Sequence, residues 1–203
     1  MKNLIILDRD GVINYDPGYI DCPQKWHALP GSLEAIAQLN QAGYTVVVVS
    51  NQSGIGRGKF SHEDLARIHQ KMTANLLAVG GHIDQIFYCP HLPTDHCLCR
   101  KPQIGLFQQI SQHYGQSLQG TPCIGDKLTD LQAAVSIGGK PILVRTGCGE
   151  DTLKTLAKPH YAALCKSIMI ADSLEAVVKN SLMSSYHQDG RSMPGIDQSN
   201  HSK

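Results

Sequence analysis

Leu4 to Leu7 is an unbroken apolar run that stops at an acid: the chain reads Asn3-Leu-Ile-Ile-Leu-Asp8-Arg-Asp10-Gly-Val-Ile-Asn14. Such a run predicts a strand buried on both faces. Strands of that kind belong to parallel sheets covered by helices on either side, and in open α/β sheets the carboxyl edge of the strands is where ligands bind. Asp8 and Asp10 would sit at that edge. Side chains alternate with period two on extended backbone, so the two carboxylates point the same way. Together they make a hard, oxygen-rich site suited to Mg2+, and Gly11 lets the chain turn away tightly. A D-x-D-G taken alone fits a plain turn after a strand equally well, so the rest of the chain has to decide.

Beyond Asn14, strand and helix alternate. Tyr15 to Pro23 is rich in turn formers and reads as a loop over the strand ends. Leu33 to Gln41 repeats its apolar residues at helical spacing and closes on Gly43, and Tyr44 to Val49 is a second buried strand ending at Ser50-Asn51. The stretch from Asn51 to Lys59 is a glycine-rich loop. Ser61-His-Glu-Asp64 resembles a capping box opening a helix through about Leu77. Asp84 to Tyr88 is a third strand, residues 103–114 are helical, Thr121 to Gly125 is a fourth strand ended by Asp126, residues 128–137 are helical and Pro141 to Val144 is a fifth strand. Tyr161-Ala-Ala or Ile168-Met-Ile170 supplies an edge strand, and Asp172 or Ser173 caps a last helix running to about Leu182. This alternation predicts an α/β fold with a doubly wound parallel sheet.

At 203 residues, 41% of them hydrophobic, the chain fits one domain over residues 1–183. Residues 184–203 are Ser/Gln/His/Asn/Gly-rich and are expected to be a disordered tail. The net charge of +1 gives no electrostatic footing for a nucleic-acid or membrane partner. No apolar run is long enough to span a bilayer and no cleavage-site pattern comes after Met1, so a soluble, cytoplasmic protein is expected.

Three strands end in reactive polar groups at one sheet edge: Asp8 and Asp10, Ser50 and Asn51, then Asp126 with Lys127 and Asp130. Arg100 and Lys101 come after the third strand. Carboxylates hold Mg2+, while a hydroxyl, an amide and cations hold the oxygens of a phosphoryl group. A second cluster lies just upstream. Cys89 and His91, then Cys97 and Cys99, form two close pairs joined by a short loop, an arrangement suited to tetrahedral Zn2+ with three thiolates and one imidazole. With all four positions filled, that metal would be structural. Cys22, Cys123, Cys148 and Cys165 are scattered, and without an export signal a disulfide framework is not expected. Gly54-Ile-Gly56-Arg-Gly58 comes after a strand but runs through a loop before any helix, so it is not a dinucleotide fingerprint. His27, His62, His69, His113 and His160 receive no role.

The D-R-D-G after the first strand, Ser50 at the end of the second, Lys101 before a proline, and Gly125-Asp126-Lys127-Leu-Thr-Asp130 together resemble the four ordered motifs of the haloacid-dehalogenase-like phosphatases, over residues 3 to 150. The resemblance implies that family's Rossmann-like fold, here without a cap domain, and a two-step phosphoryl transfer. Asp8 would be the nucleophile and Asp10 the general acid and base, and Ser50 and Lys101 would hold the transferring oxygens. Mg2+ would be bound by Asp8, the backbone carbonyl of Asp10 and Asp126, with Asp130 behind them. Val12 stands where the family usually has Thr.

The zinc loop at 89–101 resembles the subgroup acting on a heptose bisphosphate or on histidinol phosphate. Ser50-Asn51-Gln52-Ser53-Gly-Ile-Gly-Arg57-Gly-Lys-Phe60 and Val144-Arg-Thr-Gly147 favour the heptose branch, which serves lipopolysaccharide core synthesis. By that resemblance Asp16, Pro17, Gly18, Tyr19, Ser50, Asn51, Gln52, Ser53, Arg100, Lys101 and Lys127 line the substrate site, with Arg100 on the phosphate that is not cleaved. The expected partner is a small sugar bisphosphate, the expected cofactors are catalytic Mg2+ and structural Zn2+, and the expected state is a monomer. Rival readings are a histidinol-phosphate phosphatase, a generalist phosphatase, a silent zinc-stabilised binding protein and a nucleic-acid end-processing phosphatase.

Overall fold

The computed structural model of the protein describes residues 1–180. Its strands are β1 (Asn3–Leu7), β2 (Tyr44–Asn51), β3 (Gln85–Cys89), β4 (Pro122–Gly125), β5 (Lys140–Val144) and β6 (Met169–Ala171). They form one sheet in the order β3-β2-β1-β4-β5-β6, every neighbouring pair parallel. The chain winds from β1 out to β3, then returns past β1 to lay down β4, β5 and β6. That reversal makes the β1/β4 boundary the switch point of the sheet, where its carboxyl edge opens into a crevice. Leu7 pairs with both Val48 and Ile124, so β1 and β4 end almost level while β2 runs three residues further, to Asn51.

The helices are α1 (Ser32–Gln41), α2 (Ser53–Gly56), α3 (His62–Ala78), α4 (Gly105–Tyr114), α5 (Leu128–Ser136), α6 (Gly149–Leu156) and α7 (Ala162–Lys166). A last helix, α8, begins at residue 174. Strand alternation sorts the core into two layers. Ile5, Leu7, Val46 and Val48 meet α1, α3 and α8 on one face. Leu4, Ile6, Val47 and Val49 meet Phe107 and Ile110 of α4 and Ala133 and Ala134 of α5 on the other. Every residue of the opening run is therefore apolar because both faces of β1 are covered.

Local chemistry sets the helix starts. Ser61 and Asp64 form the expected capping box, Asp64 N donating to Ser61 Oγ at 3.1 Å and Ser61 N to Asp64 Oδ2 at 2.8 Å. Of the two expected caps for α8 it is Ser173 that serves, its Oγ accepting from Ala176 N at 3.2 Å. Tyr161-Ala-Ala is not a strand: a 3-10 turn over Pro159–Tyr161 leads into α7. Proline fixes the turn there, and Ala162-Ala-Leu164 are strong helix formers. The edge strand is β6, one residue beyond the alternative at 168–170. The glycine-rich stretch after β2 holds one helical turn, α2. Among the described residues no cap domain is inserted; residues 8–31 and 90–104 carry only short 3-10 turns and the isolated bridges Asp10–Asn14 and Asn14–Ala28. The end of α8 and the expected tail at 184–203 lie outside the described residues.

Candidate active site

The strand ends deliver the expected acids to the switch point. Asp8 comes directly after β1 and Asp126 directly after β4, both buried, and carboxylate oxygens of Asp8, Asp126 and Asp130 lie within 4.8 Å of one another. Lys101 reaches them from the segment after β3. Its Nζ stands 2.9 Å from Asp8 Oδ1 and 2.7 Å from Asp130 Oδ1, and donates to Val49 O at 2.6 Å. Burial alone would lower this lysine, but Asp130 and Asp8 hold its ammonium well above the ordinary range. Asp130, on the first turn of α5, is thus paired and not solvated. It is buried, and its Oδ2 accepts from Lys127 N at 3.0 Å.

Removal from water pushes the Asp8 carboxyl up to about 6 against the pull of Lys101, with Asp130 adding repulsion. Burial, then the Asp8 charge, pushes Asp126 to about 7. One polar atom in this cluster is unsatisfied: Asp126 Oδ1 is buried with no hydrogen-bond partner, while Oδ2 accepts from Cys148 N at 2.8 Å. Crowded buried carboxylates with an unpaired oxygen fit a small hard cation, which would lower both carboxyls and satisfy Oδ1.

Asp10 is placed differently. Arg9 Nε and Nη2 donate to its two oxygens at 3.0 and 2.9 Å, Asn14 Nδ2 at 2.9 Å and Gln52 Nε2 at 2.8 Å. Burial would raise its carboxyl, yet Arg9 and the two amides hold it below the usual carboxylate range. Gln52 also donates to Ser50 Oγ at 2.8 Å. With that lone pair engaged, the Ser50 hydroxyl proton is left to turn toward an acceptor. Asn51 braces Lys101: Lys101 N donates to Asn51 Oδ1 at 3.0 Å and Asn51 Nδ2 to Lys101 O at 3.1 Å.

A cavity of about 760 Å³ opens over this floor, lined among others by Asp10, Asp16, Gly18, Tyr19, Asn51, Gln52, Ser53, Arg100, Lys101 and Lys127. Of the expected substrate residues, Ser50 lies buried beneath Gln52, and Pro17 lines a neighbouring groove with Tyr15 and Tyr19. Lys127 Nζ holds Asp16 Oδ2 at 2.9 Å, tying the 15–20 loop to the first turn of α5. Burial opposes but Asp126, Asp8 and Asp16 together keep this ammonium well above the ordinary lysine range. Arg100 donates to His91 O at 3.3 Å and makes no ion pair among the described residues.

The four ligands expected for zinc also converge. Cys89 Sγ lies 3.6 Å from Cys97 Sγ and 3.1 Å from Cys99 Sγ, Cys97 and Cys99 are 3.5 Å apart, and His91 Nδ1 is 3.6 Å from Cys89 Sγ and 3.2 Å from Cys99 Sγ. These separations approach the ~3.8 Å edge of a tetrahedron with Zn–S near 2.3 Å, so the donor set fits zinc. Cys89 closes β3, and its carbonyl accepts from Gln52 N at 2.7 Å, so this cluster and the carboxylate floor share a hydrogen bond.

Sequence reasoning missed Arg9, Asn14, His69 and Thr146. His69 Nε2 accepts from Arg9 Nη1 at 3.2 Å, and Thr146 Oγ1 donates to Gly11 O at 2.6 Å. The apolar run and the D-x-D-G drew attention to Asp8 and Asp10; Arg9 and Thr146 stood inside quoted stretches, D-R-D-G and Val144-Arg-Thr-Gly147, but were given no role.

Comparison with known proteins places the fold and its class. A family model described as HAD-hydrolase-like matches residues 98–176, and one described as polynucleotide kinase 3 phosphatase matches residues 10–127. The D-glycero-beta-D-manno-heptose-1,7-bisphosphate 7-phosphatase of Bordetella bronchiseptica is 49% identical over 166 residues, 81% of this chain and 93% of the relative. The Pseudomonas putida protein of the same name is 44% identical over 177 residues, 87% and 97% of the two chains. A crystal structure of D,D-heptose 1,7-bisphosphate phosphatase from B. bronchiseptica, complexed with magnesium and phosphate, superposes with a TM-score of 0.84 at 46% identity, covering 91% of this chain and 99% of that one. Fold and site thus define a haloacid-dehalogenase-like phosphatase, a phosphoric monoester hydrolase. Within that class the chain belongs to the D-glycero-beta-D-manno-heptose-1,7-bisphosphate 7-phosphatase family.

Proposed function

We propose that the protein removes the C7 phosphate of D-glycero-D-manno-heptose 1,7-bisphosphate, a step toward nucleotide-activated heptose for lipopolysaccharide core precursors. The observation that carries this reading is Arg100. The other cations lining the cavity are held by carboxylates, Arg9 by Asp10, Lys101 by Asp8 and Asp130, and Lys127 by Asp16. Arg100 alone among these four has no carboxylate partner among the described residues, which suits it to a second, uncleaved phosphate.

In the chemistry proposed, an oxygen of Asp8 attacks phosphorus as the bond to the C7 oxygen breaks, leaving an aspartyl phosphate. Asp10 gives its proton to the departing alkoxide, then takes one from the water that hydrolyses the aspartyl phosphate and releases inorganic phosphate. A phosphate dianion beside Asp10 supplies the like charge that raises its carboxyl from the depressed ligand-free value. Ser50 and Lys101 hold the transferring oxygens, and Lys101 also keeps Asp8 ionised. Mg2+ held by Asp8, Asp126 and the Asp10 carbonyl would neutralise charge between nucleophile and phosphate. Zn2+ held by Cys89, His91, Cys97 and Cys99 would fix the loop that ends at Arg100 and Lys101.

The test is phosphate release with Mg2+ from heptose 1,7-bisphosphate, histidinol phosphate, fructose 1,6-bisphosphate and a 3′-phosphorylated oligonucleotide, side by side. A kcat/KM preference of about 100-fold for the heptose, the worth of two charge-assisted hydrogen bonds, is expected. Equal rates on all four would overturn the substrate reading. The polynucleotide arm matters because one matching family model carries that description; against it stand a net charge of +1 and the carboxylate-held cations of the cavity. Arg100→Ala should raise KM for the heptose bisphosphate roughly 10- to 100-fold and change that for histidinol phosphate, with its single phosphate, far less.

A further inference from the structure

Asp126 is gripped by a segment from a neighbouring strand. The segment Thr146-Gly147-Cys148 joins β5 to α6, and its Cys148 N–H donates to Asp126 Oδ2 at 2.8 Å. Two glycines press on that same oxygen. A Cβ on Gly147 would fall 2.3 Å from Asp126 Oδ2 and 2.5 Å from Gly11 Cα, and a Cβ on Gly11 would fall 2.1 Å from Oδ2. Thr146 Oγ1 then fastens the segment to the turn after β1 by donating to Gly11 O at 2.6 Å. From the first turn of α6, Thr152 Oγ1 donates to Asp126 O at 2.7 Å. The opposite carboxylate oxygen, Oδ1, is buried and has no hydrogen-bond partner, with Lys127 Nζ 4.0 Å away.

We infer that Thr146 and Gly147 are positioning residues for the metal carboxylate: the 146–148 segment captures Oδ2 so that Oδ1 is the oxygen offered to Mg2+. A carboxylate can rotate about its Cβ–Cγ bond and present either oxygen or both, and rotation dissipates the advantage of a preformed site. Here one oxygen has a fixed backbone donor and sits in a slot that exists only because both walls beside it are glycine. Thr146 matters because its bond to Gly11 ties the segment that holds Asp126 to the loop after β1 that carries Asp8 and Asp10. Groups that orient a metal ligand in this way commonly change metal affinity by about 10- to 100-fold when removed. The inference rests on Asp126 being a magnesium ligand and not on the identity of the sugar.

Calorimetric titration of Mg2+ alone into the substrate-free protein tests it. Thr146→Val, which keeps the shape and loses the hydroxyl, should raise the Mg2+ Kd about tenfold, and Thr146→Ser, which restores the donor, should return it to near the unmodified value. Gly147→Ala should raise it further, since the new methyl displaces Oδ2 and the position has φ +60°. If Gly147→Ala does not fold, as thermal unfolding would show, the Val/Ser pair at 146 decides. In steady-state assays the half-saturating Mg2+ concentration should rise for Thr146→Val, with kcat recovered at saturating metal. A folded Thr146→Val whose Mg2+ Kd stays within about twofold of the unmodified protein would overturn the clamp. An unmodified protein that binds no Mg2+ would overturn the metal reading along with it.

Discussion

Arg9 divides its guanidinium between two neighbours, donating to both oxygens of Asp10 on one side and to His69 Nε2 at 3.2 Å on the other. Burial and then the Arg9 charge push the His69 imidazole down to about 4, so it is neutral at pH 7. An ordinary histidine titrates near 6.5. Between those values the unfolded chain takes up a proton that the native state refuses, so the stabilisation is complete above about pH 6.5 and is lost as pH falls toward 4. Over that window the loss is on the order of 2–3 kcal/mol. Urea unfolding at pH 7.5 and pH 4.5 should therefore show a larger drop for the unmodified protein than for His69→Gln; equal drops would refute the assignment. His69 shows why parts of the site were not legible in the sequence. Asp8 and Asp10 announce themselves through a period-two spacing at the end of an apolar run, whereas the Arg9–His69 contact joins positions 60 residues apart and leaves no local pattern. Asn51 and Gln52 were legible as residues of the site. Their geometry turns them inward, one to the Lys101 backbone and the other to Asp10 and Ser50.

At the level of elements, the loop that carries the Cys/His cluster links two segments of the candidate site. It begins at Cys89, whose carbonyl holds Gln52, and its last cysteine, Cys99, lies two residues before Lys101, whose backbone is held by Asn51. Purified protein, without zinc added, should carry close to one zinc per chain by elemental analysis; its absence would remove the Cys89/His91/Cys97/Cys99 assignment. Cys99→Ser should weaken zinc binding and lower kcat/KM by about tenfold or more, with far-UV circular dichroism nearly unchanged because the loop carries no strand or α-helix of its own beyond Cys89. The Cys-x-His and Cys-x-Cys spacing was readable because metal ligands come in close pairs. Its coupling to Lys101 was not, since it runs through β2. The same distinction explains α7: the apolar Tyr161-Ala-Ala run was compatible with either period, and Pro159 together with two alanines decided it for helix.

The whole molecule was legible as a doubly wound sheet because the strand-helix alternation is uninterrupted and β1 and β2 are apolar on both faces. The order β3-β2-β1-β4-β5-β6 was not, since pairing order leaves no mark within any single strand. Nor did the sequence reveal how much the far end of the fold contributes to its beginning. In α8, Leu174, Val177 and Val178 are each at most 2% exposed and pack into the same layer as Ile5, Leu7 and Ile36. They close the face of the sheet that α1 and α3 leave open. Burial of three aliphatic side chains at about 1.5–3 kcal/mol each is on the order of 5 kcal/mol, comparable with the whole stability of many domains at about 5–15 kcal/mol. We therefore expect a chain ending at residue 172 to fail to fold. A chain ending at residue 183 should keep its Tm within about 3 °C and its kcat/KM within about twofold, since the removed residues are almost free of apolar side chains that could join this layer. Thermal unfolding and steady-state phosphate release on the two truncations separate the cases. A stable, active 1–172 chain would show that the sheet closes without α8, and a collapsed 1–183 chain would show that the domain extends past the boundary drawn from composition.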